Sequence, residues 1–173
     1  MVFAIVLPIM IQNLVNTLVN SVDIIMLSYV DQVSLSASSL ANQPYNILSF
    51  IFYGISSGSA ILAAQYWGKR DLVTIEKILG IALRIALTFS LIFAVAACFF
   101  SESVMQFYTS DPEVIDAGIK YLQIISLTYI FSAITQMYLC IQRCVERVRL
   151  STAVLSTSLF LNVALNACFI FGI

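Results

Sequence analysis

Long stretches without charged residues dominate this chain and limit how it can fold. Charged residues make up 10% of its 173 residues and hydrophobic residues 61%, whereas a typical soluble domain is about 25% charged. A soluble fold of this length has no interior large enough for so much apolar surface. A lipid bilayer accepts apolar side chains on the outside of a helix bundle as well. The sequence therefore predicts an all-α polytopic membrane protein.

The uncharged stretches divide into five predicted transmembrane helices. A spanning helix needs about 20 mainly apolar residues, and a charge at bilayer depth is costly, so most charges mark loops. The first stretch has no basic leader and does not resemble a signal peptide. Residues 34–42 are rich in serine and alanine, and we expect them at the membrane interface. The predicted helices cover residues 2–27, 40–66, 78–100, 118–141 and 152–171.

The predicted connections alternate between basic and acidic. Basic residues dominate the connections after the second and fourth helices, and acidic residues dominate those after the first and third. Cytoplasmic loops of membrane proteins carry an excess of lysine and arginine. The pattern predicts a multi-pass protein of the cell membrane (plasma or bacterial inner membrane) with a cytoplasmic amino terminus. Arg84, one turn inside the third helix, can extend its stem to the cytoplasmic surface.

The composition argues against nucleic-acid binding, metal chemistry and catalysis. The net charge is −1, and no basic cluster is long enough to follow a phosphate backbone. With no histidine in the chain, there is neither a Ser/His pair for catalysis nor a convincing zinc site. We therefore predict no nucleic-acid partner, no enzyme activity, no cofactor and no metal beyond a coupling ion. The four cysteines, expected to serve in packing, are Cys98, Cys140, Cys144 and Cys168.

Polar side chains form a stripe along the first predicted helix. At about 100° per residue they fall within an arc of about 80°. Such a stripe is costly against lipid, so we expect it to face the bundle interior or a water-filled cavity. The alternative is that its last member, Asp23, lies at the outer helix end in contact with water. The candidate cavity-lining residues are Gln12, Asn16 and Asn20, with Asp23 as the charged member.

The fifth predicted helix carries a second polar stripe, again within an arc of about 80°. Its members are Ser151, Ser158, Asn162 and Asn166. One interpretation is that the two amides hydrogen-bond between helices, which is worth about 1 kcal/mol. The other is that Asp23 and the two amides enclose a polar chamber that holds a cation or a proton.

Two further patterns concern helix packing. Gly54 and Gly58 form a G-x-x-x-G step flanked by serines, which is typical of a close approach between helices. Pro8 and Pro44 lie in or near helix bodies, where each favours a bend.

Four groups of residues, in order along nearly the whole chain, make one recognisable pattern. They are Leu7-Pro8-Ile9 with Gln12-Asn13 and Val22-Asp23; Ser57-Gly58-Ser59 with Gln65-Tyr66-Trp67-Gly68-Lys69; Asp111-Pro112-Glu113-Val114 with Tyr121-Leu122; and Asn162-x-x-x-Asn166 with Ile170-Phe171-Gly172. With this pattern the chain resembles the amino-terminal part of the multidrug and toxic compound extrusion transporters, and the order of the groups is hard to match by chance.

The resemblance implies a secondary antiporter that exports small organic cations, drugs among them, in exchange for Na⁺ or H⁺. That family has about twelve helices in two six-helix lobes. The five predicted helices would then be an incomplete first lobe, with membrane lipid and the remaining helices of the full-length transporter as partners. The resemblance also implies that Asp23, Asn162 and Asn166 form the cation site. Ile24 stands where a threonine is frequent in the family, so the coupling ion is left open.

Two other functions stay open. A lipid-linked saccharide flippase of related architecture moves an anionic substrate, for which a basic cavity is expected, whereas the predicted spans are poor in basic residues. A non-transporting membrane scaffold or fragment is the second alternative. Asp23→Ala in the complete protein separates a scaffold from the transporter, because a scaffold is indifferent to the loss of that charge.

Overall fold

The computed structural model describes residues 32–146 and 148–171, together with Met10, Leu14 and Thr17, which are helical. The predicted all-helical class is confirmed, with no strand among these residues. Val33–Val145 form one compact unit, and the last helix belongs to a second unit. The helices are α1 (Gln32–Ala41), α2 (Gln43–Gly68), α3 (Leu72–Phe99), α4 (Ser101–Tyr108), α5 (Pro112–Ser126), α6 (Thr128–Cys144) and α7 (Val148–Phe171).

The first two helices form a nearly continuous rod, and the segment 34–42, expected at the membrane interface, is helical. Asn42 alone separates α1 from α2, and its backbone is itself helical (φ −82°, ψ −10°). The Asn42 amide still donates to the Ser38 carbonyl at 3.1 Å. The interruption follows from Pro44, because proline has no N–H to donate to the carbonyl one turn earlier. Serine content therefore did not prevent a helix here.

The third helix begins at Leu72 instead of residue 78, because Asp71 caps it. The Asp71 carboxylate accepts hydrogen bonds from the Thr74 amide (3.1 Å) and the Thr74 hydroxyl (2.6 Å). These two bonds, the one from the hydroxyl first, hold the pKa of Asp71 below its ordinary value. Because the helix starts at this cap, Glu76 and Lys77 lie within the first turns of α3 and not in a loop. The helix is therefore longer than an apolar span requires.

The fourth predicted helix, 118–141, is a bent pair in the structure. It starts at Pro112, after the N-cap Asp111, and α5 and α6 meet at Leu127 with a bend of 46°. Neither proline nor glycine causes this bend. The hydroxyls of Ser126 and Thr128 instead donate to the carbonyls of Gln123 (2.8 Å) and Ile125 (2.6 Å). Such bonds compete with the backbone ladder and bend helices.

Two described segments are long and apolar enough to cross a membrane, Gln32–Gly68 and Leu72–Phe99, and the bent pair makes a third if it is one span. The predicted fifth helix, 152–171, corresponds to α7, which begins at Val148. The predicted first helix, 2–27, lies outside the described residues apart from Met10, Leu14 and Thr17.

The centre of the compact unit is α3, which packs against α2, α5 and α6 and also contacts α4. Small side chains on α3 let its neighbours approach closely. The glycine step was expected to mark a close approach between helices. Gly54 and Gly58 are exposed, however, and a Cβ added to either would meet nothing within 4 Å among the described residues. The close-packing face is instead formed on α3 by Ala82, Ala86, Ser90, Ala94 and Ala97.

Gly118 anchors the short helix α4 to α5. Met105 on α4 is fully buried, and a Cβ at position 118 would come within 2.7 Å of its sulfur. We expect Gly118→Ala to displace Met105 and to lower the free energy of unfolding by about 1–3 kcal/mol. Thermal unfolding of the purified protein in detergent measures the effect.

Gly80→Ala is the matched control, because a Cβ there meets no described residue within 4 Å and the residue lies inside α3. Alanine favours helices over glycine, so this variant should be unchanged or more stable by up to about 1 kcal/mol. Equal unfolding temperatures for the two variants would contradict the close contact between Gly118 and Met105.

Candidate functional site

Two of the predicted cation-site residues lie on one helix. Asn162 and Asn166 are both in α7, one turn apart, so they fall on the same face of it. Asn162 is exposed on the surface of its unit. The backbone of α7 therefore carries both residues at a spacing of one turn.

The rest of the predicted chamber lies outside the described residues. This applies to Asp23 and to the stripe residues Gln12, Asn16 and Asn20. The chamber itself stays a prediction.

A cluster of tyrosines in the compact unit was missed at the sequence level. The rings of Tyr45 on α2 and Tyr129 on α6 stack with centroids 5.6 Å apart. Nearby in the chain, the side chain of Asn42 donates to the Tyr121 hydroxyl at 3.2 Å and to the Ser38 carbonyl at 2.9 Å. Asn42 thereby ties the α1–α2 junction to α5. The available signal was a polar residue next to a proline inside a long uncharged stretch.

Two hydroxyls inside the compact unit are buried without a hydrogen-bond partner among the described residues. They belong to Tyr129 and Ser90, and both side chains are 0% exposed. A buried polar group without a partner costs about 1–3 kcal/mol, and waters commonly satisfy such groups. These hydroxyls, on α6 and α3, are therefore sites where water or a polar ligand gains hydrogen bonds.

Charge is divided between the two ends of the compact unit. At one end, the C-terminal ends of α2 and α6 pack against the N-terminal end of α3 around Ala63, Ile75 and Ile141. Lys69, Arg70, Lys77 and Arg143 lie at this mainly basic end together with Asp71 and Glu76, and the Lys69 ammonium lies 5.4 Å from the centre of the Tyr66 ring. The other end, at α4 and the start of α5, carries the exposed acidic residues Glu102, Asp111, Glu113 and Asp116.

The fold and this division of charge define a class: an integral membrane protein built as a helix bundle. Comparison with known proteins is more specific. The MatE family model matches residues 8–168, so the chain belongs to the MatE family, a family of membrane transporters. This membership confirms the resemblance seen in the sequence motifs, and it indicates a transporter class instead of an enzyme.

A curated relative carries a more particular name. The FAD transporter of Shewanella oneidensis is 23% identical to this chain over 122 residues. The match covers 70% of this chain and 27% of that relative, so the aligned region is about a quarter of the relative's length.

Proposed function

We propose that this chain is part of a secondary antiporter of the cell membrane that exports organic cations in exchange for Na⁺ or H⁺. The observation that carries the proposal is the MatE match over residues 8–168. The polar stripe that ends at Asp23 supports it, because intramembrane ionisable residues usually mark an ion or substrate pathway.

The proposed mechanism is alternating access, with the coupling ion bound at Asp23, Asn162 and Asn166. A carboxylate supplies the charge that a cation requires, and amide oxygens are suitable further ligands for a hard cation. Binding changes the population of two helix packings only by the difference in affinity between them. The coupling ion enters down its inward gradient and the substrate leaves, because the binding site opens alternately to the two sides of the membrane.

The bend between α5 and α6 fits a protein that changes its helix packing. Serine and threonine hydroxyls at the bend donate to carbonyls at 2.8 and 2.6 Å, in place of a proline kink. The nearby Tyr129 hydroxyl has no partner among the described residues. A polar group of this kind is available to hydrogen-bond water as the packing changes.

The name of the relative favours a second substrate class, flavin dinucleotides. FAD carries a diphosphate and is anionic, so a site for it needs basic side chains near the transport path. Within α3, Arg84 is such a residue, and it is exposed in the compact unit. An organic cation has no need of this arginine, whereas Asp23, as the ligand of the coupling ion, is needed for either substrate. Arg84 is therefore the residue that separates the two substrate classes.

Transport by the intact transporter in liposomes distinguishes these substrates. We expect a fluorescent organic cation to be moved by wild type and by Arg84→Gln, and not by Asp23→Asn. FAD transport that requires Arg84 and is not inhibited by organic cations would overturn the cation proposal and favour the flavin one.

The proposed orientation has its own test, with a membrane-impermeant thiol reagent applied to intact cells. In a background without the native cysteines, cysteine at Asp31 or Glu113 should be labelled from outside, because the acidic connections are predicted to face outward. Cysteine at Arg70 or Arg147 should react only after the cells are permeabilised. Reversed labelling would contradict a cytoplasmic amino terminus.

A further inference from the structure

A cavity of about 340 Å³ lies at the acidic end of the compact unit, between α4 and the two long helices. Its walls come from Pro44 and Ile47 on α2, Phe93 and Ala97 on α3, and Val104 and Phe107 on α4. Its volume is at the lower end of the range for small-molecule sites, about 300–1,000 Å³. We call it the α4 cavity.

Small and anchored side chains create this space. On α3 the cavity is lined by Ala96 and Ala97, whose methyl groups leave room that larger residues would fill. On α4 the anchoring residue, Met105, points into the contact with Gly118 on α5. The helix is thus held on its α5 side, while Val104 and Phe107 remain beside the gap.

The chemistry of the walls selects an apolar occupant. The lining is aliphatic and aromatic, and its polar side chains are Ser103 and Tyr108, neither of which is charged. An ion or a dinucleotide would lose its hydration there without compensation. An apolar chain loses nothing comparable and gains burial.

The cavity opens onto an exposed apolar surface of the compact unit. Ile47 at its edge is 50% exposed and Phe107 is 82% exposed, and Phe50 continues the apolar surface one turn along α2. In a membrane protein such side chains contact acyl chains. A chain of a bilayer lipid can therefore enter from the surrounding membrane without crossing water.

The charges at this end select the headgroup. Four exposed acidic residues lie on α4 and the start of α5, accompanied by one basic residue, Lys120. Their negative potential repels anionic headgroups and attracts an ammonium group. We propose that the α4 cavity binds an acyl chain of a zwitterionic phospholipid, whose ammonium group lies towards these acidic residues.

The test uses the transporter in liposomes with a phosphatidylethanolamine probe that carries a photoreactive diazirine on one acyl chain. After illumination, mass spectrometry locates the labelled peptides. We expect labelling to concentrate on the peptides that contain Phe93 to Tyr108. A phosphatidylglycerol probe of the same chain should label them about fivefold less, which corresponds to about 1 kcal/mol.

Two variants change the cavity, and a third serves as control. Ala96→Leu fills the space and Phe107→Ala removes one wall, so each should lower labelling of these peptides about fivefold. Phe131→Ala removes a comparably exposed aromatic ring (69% against 82% for Phe107) on α6, outside the lining, and it should leave labelling unchanged. If Ala96→Leu does not fold, Phe107→Ala against Phe131→Ala still provides the comparison.

Three outcomes would overturn the proposal. The first is labelling spread evenly over every lipid-exposed helix, and the second is equal labelling by the two probes. The third is protection of the cavity by another segment of the protein, seen when a photoreactive amino acid at Phe107 cross-links to a peptide and not to lipid.

Discussion

Asp23→Asn is expected to abolish gradient-driven efflux by the intact transporter while expression and membrane insertion stay close to wild type. Asparagine has nearly the same size as aspartate, so the helix packing is kept. The charge that holds Na⁺ or exchanges a proton is lost. Efflux from liposomes under an imposed Na⁺ or proton gradient is the measurement.

The size of the effect follows from differential binding. An ion shifts the equilibrium between two packings only by the difference in its affinity for them, and about 1.4 kcal/mol of difference gives a tenfold bias. Removing the one carboxylate from the proposed site removes most of that difference. Asn162→Ala should weaken coupling less, because an amide contributes one ligand and no net charge.

Asp31→Asn is the matched control for charge loss, because Asp31 belongs to a predicted outer connection and not to the chamber. It should transport as wild type does. Wild-type efflux by Asp23→Asn across a range of imposed gradients would mean that Asp23 is a surface residue and that the chamber does not exist.

Ala86→Leu is expected to cause the largest loss of stability in the compact unit. Ala86 is 0% exposed and lies in the middle of the small-residue face of α3. Three added carbons there push against the neighbouring helices, and overpacking of this kind costs about 1–3 kcal/mol. The unfolding temperature in detergent should fall by about 5–10 °C.

Ala64→Leu makes the same change on an exposed position of α2, and it should leave the unfolding temperature nearly unchanged. The pair separates crowding from the general effect of added hydrophobicity. Equal temperatures for Ala86→Leu and Ala64→Leu would contradict the small-residue face as the packing surface of α3.

The helical class was predictable because it depends on the hydropathy of many residues together. The ends of the helices instead depend on single contacts. Glu76 and Lys77 were interpreted as loop residues, yet the Asp71 cap extends α3 beyond them. The bend at Leu127 arises from hydroxyls of Ser126 and Thr128, which hydropathy does not register. The short helix α4 was also missed, since eight residues are too few for a spanning pattern.

Packing partners were less predictable than helices. The G-x-x-x-G step at Gly54 and Gly58 is the familiar motif, but the alanines of α3 form the contact surface. Both patterns present small side chains at helical spacing, and the sequence does not say which of them meets a neighbour. Tyr129 was overlooked for a related reason, because a tyrosine in an apolar helix contributes to hydropathy while its hydroxyl needs a partner.

The cation site stays a prediction, although its two amide residues share one helix. Helical periodicity put Asn162 and Asn166 on one face, and both residues do lie on α7. The approach of Asp23 to that face depends on contacts between distant parts of the chain, which periodicity within one helix does not contain.

Cross-linking between Asp23 and α7 tests the cation site most directly. Cysteines at Asp23 and Asn162, introduced without the native cysteines, should be joined in membranes by a short bifunctional thiol reagent. Phe160 is the control partner, because helical geometry places it about 160° around α7 from Asn162. The proposed site predicts cross-linking for the pair with Asn162 and none for the pair with Phe160. Equal cross-linking of both pairs, or cross-linking with Phe160 alone, would contradict it.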